Sequence, residues 1–253
     1  MRELCTVLPW DSDFFGIRIA RLNSTAPSAE DFDAATEWCH QRSVRCLYFL
    51  CDSNAKTSAR QAGHRGFDLM DMRITMASRN VADHRAARMM PEVLIRPALD
   101  HDLAALRELS GRSFTEMRFF ADSHFPKERV RALYECWVDR DFASPGRMVL
   151  MAEMAGHFAG FVTGSLESDG SGLVGLIATH ERARGKGIGS ALMDELLRGF
   201  QGMSASKVVV VTSGCIPNAM RLYENLGFRT ELVQFWFHRW FNEGELDCPG
   251  EVR

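Results

Sequence analysis

With 253 residues, of which 46% are hydrophobic and 25% charged, the chain has the composition of a globular protein of one large or two modest domains. Its formal net charge of −3 offers no bulk attraction to nucleic acid, and no run approaches the roughly twenty apolar residues of a membrane-spanning helix. The seven cysteines are odd in number and scattered, with no C-x-x-C pair, which argues against structural zinc or a disulfide framework and fits reduced thiols in the cytoplasm.

The opening MRELCTVLPWDSDFF sets charges and a proline where a secretory signal would have its apolar core. Within it, WDSDFFG at residues 10–16 is polar and aromatic; Asp11 and Asp13 are amine-binding candidates only if this cluster faces a cleft, and packing is the alternative. Residues 32–42 read as a helix and 46–51 as a strand, and RGFDLMD at 65–71 as a turn entering a strand. Residues 1–80 are therefore expected to form a small α/β N-terminal domain, and residues 81–92, with little apolar periodicity, a linker.

Residues 93–253 carry a consistent order. A strand is expected at 94–97 and a helix at 100–114. A second helix at 128–139 sets Val130, Leu133, Tyr134 and Trp137 on one face. Residues 147–154 and 157–166 form a hairpin about Ala155-Gly156. An apolar strand ends at Ala178, and the helix after it repeats Ile188, Leu192, Leu196 and Phe200 every four residues. KVVVVT at 207–212 is a short buried strand. A helix follows, with Pro217 suited to its first turn and Gly227 to its end. LVQFWFHRW at 232–240 is a final aromatic strand, either internal or paired across a homodimer. The resulting order, β-α-α-β-β-β-α-β-α-β, is an α/β domain with a mixed sheet.

The chemistry concentrates at Arg184-Gly185-Lys186-Gly187-Ile188-Gly189, which follows the strand and opens the amphipathic helix. Glycines let a backbone approach a ligand closely, and a helix start presents unpaired N–H groups and partial positive charge. Arg184 and Lys186 add full positive charge. The spacing is neither the dinucleotide G-x-G-x-x-G nor the nucleotide P-loop. An ordinary basic helix start on a solvated loop is the plain alternative.

The R-x-x-G-x-G pattern at 184–189, followed one helix and one strand later by LYENLGF at 222–228, resembles the GCN5-related N-acetyltransferase (GNAT) family. The resemblance implies an acetyl-CoA-dependent acyltransferase with the GNAT fold in residues 93–253. It implies that Ile177, Ala178, Thr179, Arg184, Gly185, Lys186, Gly187, Ile188, Gly189 and Ser190 hold the cofactor. A backbone N–H near residues 177–179 would stabilise the charge that develops on the acetyl oxygen. Tyr223 matches the tyrosine that protonates the departing thiolate. Many members carry Asn seven residues before that tyrosine; here the position is Ile216, and Asn218 either takes over the contact or caps the helix. The general base is not legible among Glu167, His180, Glu181 and a water chain. Cys215 reads as a buried structural thiol.

LPWDSDFFG at 8–16 and SFTEMRFFADSHFP at 113–126, with the final aromatic strand, carry a narrower resemblance to the dTDP-fucosamine acetyltransferase family. It implies a small-molecule amine acceptor, the 4-amino group of a dTDP-linked 4-amino-6-deoxyhexose, acetylated by direct transfer. Arg118 could then pair with a diphosphate, Phe119 or Phe120 pack on thymine or sugar, and His124 hydrogen-bond the acceptor. A loop whose aromatics complete the core is the alternative. Another small amine, an aminoglycoside or a protein N-terminus stays open as acceptor, as does a non-catalytic acyl-CoA-binding regulatory module.

Overall fold

The computed structural model describes residues 3–81 and 92–242. Residues 82–91 of the expected linker, and Cys248, lie outside the described residues. In chain order the elements are β1 (Cys5–Val7), α1 (Pro9–Phe15), β2 (Ile19–Leu22), α2 (Ala29–His40), β3 (Cys46–Asp52), α3 (Lys56–His64), β4 (Asp68–Ser78), β5 (Val93–Pro97), α4 (Leu103–Ser113), α5 (Arg118–Ala121), α6 (Lys127–Ala143), β6 (Arg147–Met154), β7 (His157–Leu166), β8 (Ser171–Thr179), α7 (Ile188–Gly202), β9 (Lys207–Ser213), α8 (Pro217–Asn225) and β10 (Arg229–Trp240). Among the described residues, no helix is long and apolar enough to cross a membrane.

Two compact units emerge. Unit 1 comprises the residues up to Arg73, Met117–Phe125 and the residues from Val233; unit 2 comprises Ile74–Glu116 and Pro126–Leu232. In unit 1, β2 pairs antiparallel with β1 and parallel with β3, and β3 pairs antiparallel with β10. β10 lies between β3 and β4, so it is internal to a sheet. Phe32, Leu47, Phe49, Phe67, Phe237 and Phe241 are buried together beneath α2. Ser28 starts α2 with a capping box: its side chain accepts from Asp31 N–H, and Asp31 accepts from Ser28 N–H. The 10–16 stretch, to which the sequence reading gave no regular structure, is helical over most of its length. Pro9 occupies its first turn, and Gly16 closes it at φ 71.

In unit 2, β5, β6, β7 and β8 form an antiparallel run, and β9 joins β8 in parallel. One face of the run packs on α4 and α6 through Leu106, Val138, Met151, Phe161 and Ala178. The other takes α7, whose Ile188, Leu192, Leu196 and Phe200 are all buried, as their four-residue spacing requires. Small residues admit this helix: a Cβ on Gly172 would lie 2.8 Å from the Phe200 ring. The loop expected around residues 118–125 contains one helical turn, α5.

Candidate active site

β8 and β9 pair over only four residues, Ser171–Val174 against Lys207–Val210. β8 continues to Thr179 and β9 to Ser213 without pairing further, so a gap opens between them. A bulge in β8 marks the point of divergence. Val162 opposes Ile177 and Gly164 opposes Val174, which leaves Gly175 and Leu176 facing Thr163 alone.

The bulge sets which backbone groups face the gap. Leu176 N–H is bonded to Thr163 Oγ1 at 2.9 Å, and His180 N–H to Ala159 O at 2.9 Å, both on the β7 side. Backbone groups alternate along an antiparallel strand. The N–H groups of Ile177 and Thr179 therefore point away from β7, toward the gap, while Ala178 faces β7. Of the three strand residues expected to act here, two offer donors and Ala178 serves as core.

The glycine turn follows immediately. After a short 3-10 turn at Glu181–Ala183, Gly185 and Gly187 adopt φ 73 and 79, the left-handed region that glycine tolerates best. Nothing lies within 4 Å of a Cβ on Gly185. The helix proper starts at Ile188, later than the Arg184 opening the motif suggests, because Gly187 is its left-handed N-cap. No side chain caps it, so the first N–H groups have no side-chain partner there. Arg184 and Lys186 are exposed, Gly189 and Ser190 half-buried, and Ile188 buried as an anchor. A Cβ on Gly189 would sit 3.4 Å from Leu222 and 3.7 Å from Thr179 Oγ1, so the end of β8, the start of α7 and the face of α8 converge at this point.

Tyr223 is buried, with its ring 5.8 Å from Phe228. Burial pushes its phenol well above the ordinary tyrosine value. Asn218 is the second residue of α8, after the N-cap Ile216, which has no side-chain cap bond. It is exposed and is not the N-cap residue, and Cys215, expected to be buried, is exposed as well.

Of the base candidates, Glu167 sits beyond the opposite end of β8 and accepts from Ser165 Oγ at 2.7 Å. A nine-residue strand spans about 30 Å, which removes Glu167 from the gap. His180 Nδ1 accepts from Arg182 N–H at 3.3 Å. His180 and Glu181 line a cleft of about 620 Å³ with Glu108, Arg112, His157 and Arg184. That cleft borders the turn from the α4 side, and its walls include neither Ile177 nor Tyr223.

The four residues expected at the acceptor all belong to unit 1. The Arg118 guanidinium lies 4.1 Å from the Trp236 ring centre, 4.2 Å from Phe119 and 4.6 Å from Tyr48. Phe119 itself is buried against Phe15, Phe125 and Tyr48, so it supports this box and does not present a face to solvent. Phe120 is half-buried. His124 stacks on Trp240 at 4.6 Å and is half exposed. Tyr48 is buried, and its hydroxyl has no partner among the described residues.

No sequence pattern marks Asp122, which is buried. Its buried carboxylate accepts from His238 Nδ1 at 2.7 Å, Trp240 Nε1 at 2.9 Å and the His124 backbone N–H at 3.0 Å. Burial raises its pKa, but these bonds outweigh that and hold it well below the usual carboxylate range. Burial pushes His238 down to about 4, against the pull of Asp122, and the Arg118 charge pushes the same way. His238 is thus neutral at pH 7, with its proton on Nδ1 and the Nε2 lone pair 3.5 Å from Arg118 Nη1.

Comparison with known proteins gives this geometry a context. The model of the acetyltransferase (GNAT) family matches residues 103–228. The dTDP-fucosamine acetyltransferase of Escherichia coli O6:H1 is 24% identical over 92% of this chain and 96% of its own length. The spore coat polysaccharide biosynthesis protein SpsD of Bacillus subtilis is 27% identical over 55% of the chain, a match that spans about half of that relative, 48% of its length. A GCN5-related N-acetyltransferase structure from Sphaerobacter thermophilus superposes with a TM-score of 0.68 at 16% identity, over 93% of this chain and 76% of its own, and shows the shared fold.

Proposed function

Residues 103–228 form an acetyltransferase domain of the GNAT family, and from that premise we propose that the protein moves the acetyl group of acetyl-CoA directly to the primary amine of a nucleotide-linked sugar, a dTDP-4-amino-4,6-dideoxyhexose. The observation that carries the transfer half is the gap between β8 and β9, with two main-chain donors inside it and a glycine turn at its mouth. These parts suit an acetyl-CoA molecule. The gap would take the extended pantetheine arm, and the α7 start with Arg184 and Lys186 the pyrophosphate.

Acetyl-CoA supplies an activated thioester. The amine lone pair forms the new N–C bond, the C–S bond breaks, the nitrogen loses a proton and the sulfur gains one. The Ile177 and Thr179 N–H groups are the candidates to receive charge developing on the carbonyl oxygen, a contribution worth roughly 3–4 kcal/mol for a well-placed donor. Tyr223 is assigned the thiolate. With its phenol held protonated by burial, it serves as a hydrogen-bond donor over the whole working pH range. A thiol is a stronger acid than this phenol, so full proton transfer is uphill, and stabilisation of the thiolate by the hydrogen bond is the larger effect.

The acceptor half is supported by the 92% coverage of the E. coli relative and by the aromatic, cationic character of the 117–125 segment. Arg118 is assigned to the diphosphate, Phe120 and His124 to sugar or base, and Phe119 to the packing that holds them.

A thiol-release assay with acetyl-CoA tests both halves. The panel is dTDP-4-amino-4,6-dideoxyhexoses, aminoglycosides, polyamines and N-terminal peptides. Turnover confined to the nucleotide sugars is expected. Turnover with another amine overturns the acceptor and keeps the transfer chemistry. Silence across the panel with CoA still bound favours a regulatory acyl-CoA-binding module.

A further inference from the structure

The bulge that aims Ile177 into the gap is held by a buried chain of polar groups starting on α6. Asp141 is 1% exposed. Its Oδ1 accepts from Arg147 Nη1 at 2.8 Å and from Arg140 Nη2 at 3.1 Å. Its Oδ2 accepts from the Thr163 hydroxyl at 2.8 Å. Thr163, fully buried, in turn accepts the Leu176 N–H at 2.9 Å. The direction of every bond is fixed. Leu176 N–H can only donate, and a carboxylate held by two arginines can only accept, so the single Thr163 proton goes to Asp141 and its lone pair to Leu176.

This hydroxyl stands where the ladder has no carbonyl to give. Two β8 residues oppose one β7 residue, and without Thr163 Oγ1 the half-buried Leu176 N–H would lose its partner on the β7 side. Space is shaped around the same atom. A Cβ on Gly175 would lie 2.3 Å from Thr163 Oγ1 and 3.3 Å from Asp141 Oδ2. Only glycine leaves room for the hydroxyl to reach across the bulge.

We propose that Asp141 and Thr163 are positioning residues for acetyl transfer: they lock the Gly175–Leu176 bulge and so fix the Ile177 N–H where the acetyl carbonyl oxygen is received. Neither touches the reacting atoms. The proposal rests on the acetyl-CoA reading above and adds to it what holds the donor. It also makes a distinction that a purely structural role does not. CoA lacks the acetyl carbonyl, so loss of the lock should weaken acetyl-CoA and spare CoA.

Thr163→Val keeps the shape and removes both bonds; Thr163→Ser keeps both bonds. Calorimetry with acetyl-CoA and with CoA, amide hydrogen exchange and steady-state kinetics are compared across wild type and both variants. In Thr163→Val, acetyl-CoA affinity should fall roughly 3- to 10-fold, the worth of one hydrogen bond, with CoA affinity unchanged. Its kcat should fall at least about tenfold, and the Leu176 amide should exchange faster. Thr163→Ser should restore all three. A folded Thr163→Val protein that discriminates acetyl-CoA from CoA as wild type does, or that loses both ligands equally, overturns the positioning role. Wild-type protein that binds neither ligand removes the acetyl-CoA reading and the proposal with it, a result separate from intact binding with an unaffected variant.

Discussion

His238 Nδ1 donates to Asp122 Oδ2 at 2.7 Å, across 116 positions of sequence and with both side chains fully buried. The pair unites the last strand with the segment after α5 inside unit 1. Its protonation sets a pH window. Folding depresses His238 from 6.5 to about 4, so between those values the unfolded chain binds a proton that the folded chain refuses. Stability from this group is therefore complete above about pH 7 and lost as pH falls from 6.5 toward 4. Asp122 adds a second loss at lower pH, because its depressed pKa stabilises the fold only while the carboxylate is ionised. Urea melts from pH 4 to 8, followed by tryptophan fluorescence, should show stability rising with pH up to about 7. His238→Gln should be less stable at pH 7 and should lose most of the slope between pH 4 and 6.5. An unchanged slope would mean that other groups carry it.

The glycine turn yields a contrast between neighbours. Gly187 has φ 79, and an L-residue there costs about 1–2 kcal/mol. Gly189 has ordinary helical geometry, and its added Cβ would meet Leu222 at a normal 3.4 Å. Gly189→Ala should thus be neutral or slightly stabilising through its helix propensity, whereas Gly187→Ala should lower the Tm of the ligand-free protein by a few degrees. Equal losses at both sites would show that the turn is not held in the left-handed conformation.

The charges of the turn are separable from its shape. Arg184 and Lys186 are exposed, so reversing both to Glu should leave the Tm within a degree or two. If the pyrophosphate docks there, CoA affinity should drop tenfold or more, and the salt dependence of wild-type binding should flatten in the variant. Unaltered affinity in calorimetry would move the anion site elsewhere.

Much of unit 2 was legible because its signals are contiguous. The hairpin about Ala155-Gly156, the α7 stripe and the Arg184–Gly189 turn each lie within one short window of sequence. Tyr223, the residue proposed for the thiolate, likewise stands within one short block, Leu222 to Phe228. What stayed hidden depends on pairs of distant residues. Nothing near Thr163 announces that its hydroxyl meets Asp141, 22 positions before it, and Leu176, 13 after. The need for a missing Cβ at Gly175 follows only from the bulge. In unit 1, β1 and β2 have three and four residues, too short for periodicity to show, and α1 buries no residue that would mark a stripe. The Pro9 and Gly16 boundary signals were present but bracket a helix of only seven residues.

Tyr223→Phe separates chemistry from binding. The ring packs on Phe228 and stays apolar in the variant, so the fold and CoA affinity should be preserved. Loss of the hydroxyl removes the donor to the departing sulfur, and kcat should fall about 100-fold, the low end for a positioned general acid. The pH profile gives a second check. Because burial lifts the phenol above its ordinary value of about 10, wild-type kcat should show no falling limb from this group below pH 10. A descending limb near pH 8 that persists in Tyr223→Phe would belong to another residue. Full turnover in the variant would take Tyr223 out of the mechanism and leave its ring as a core residue.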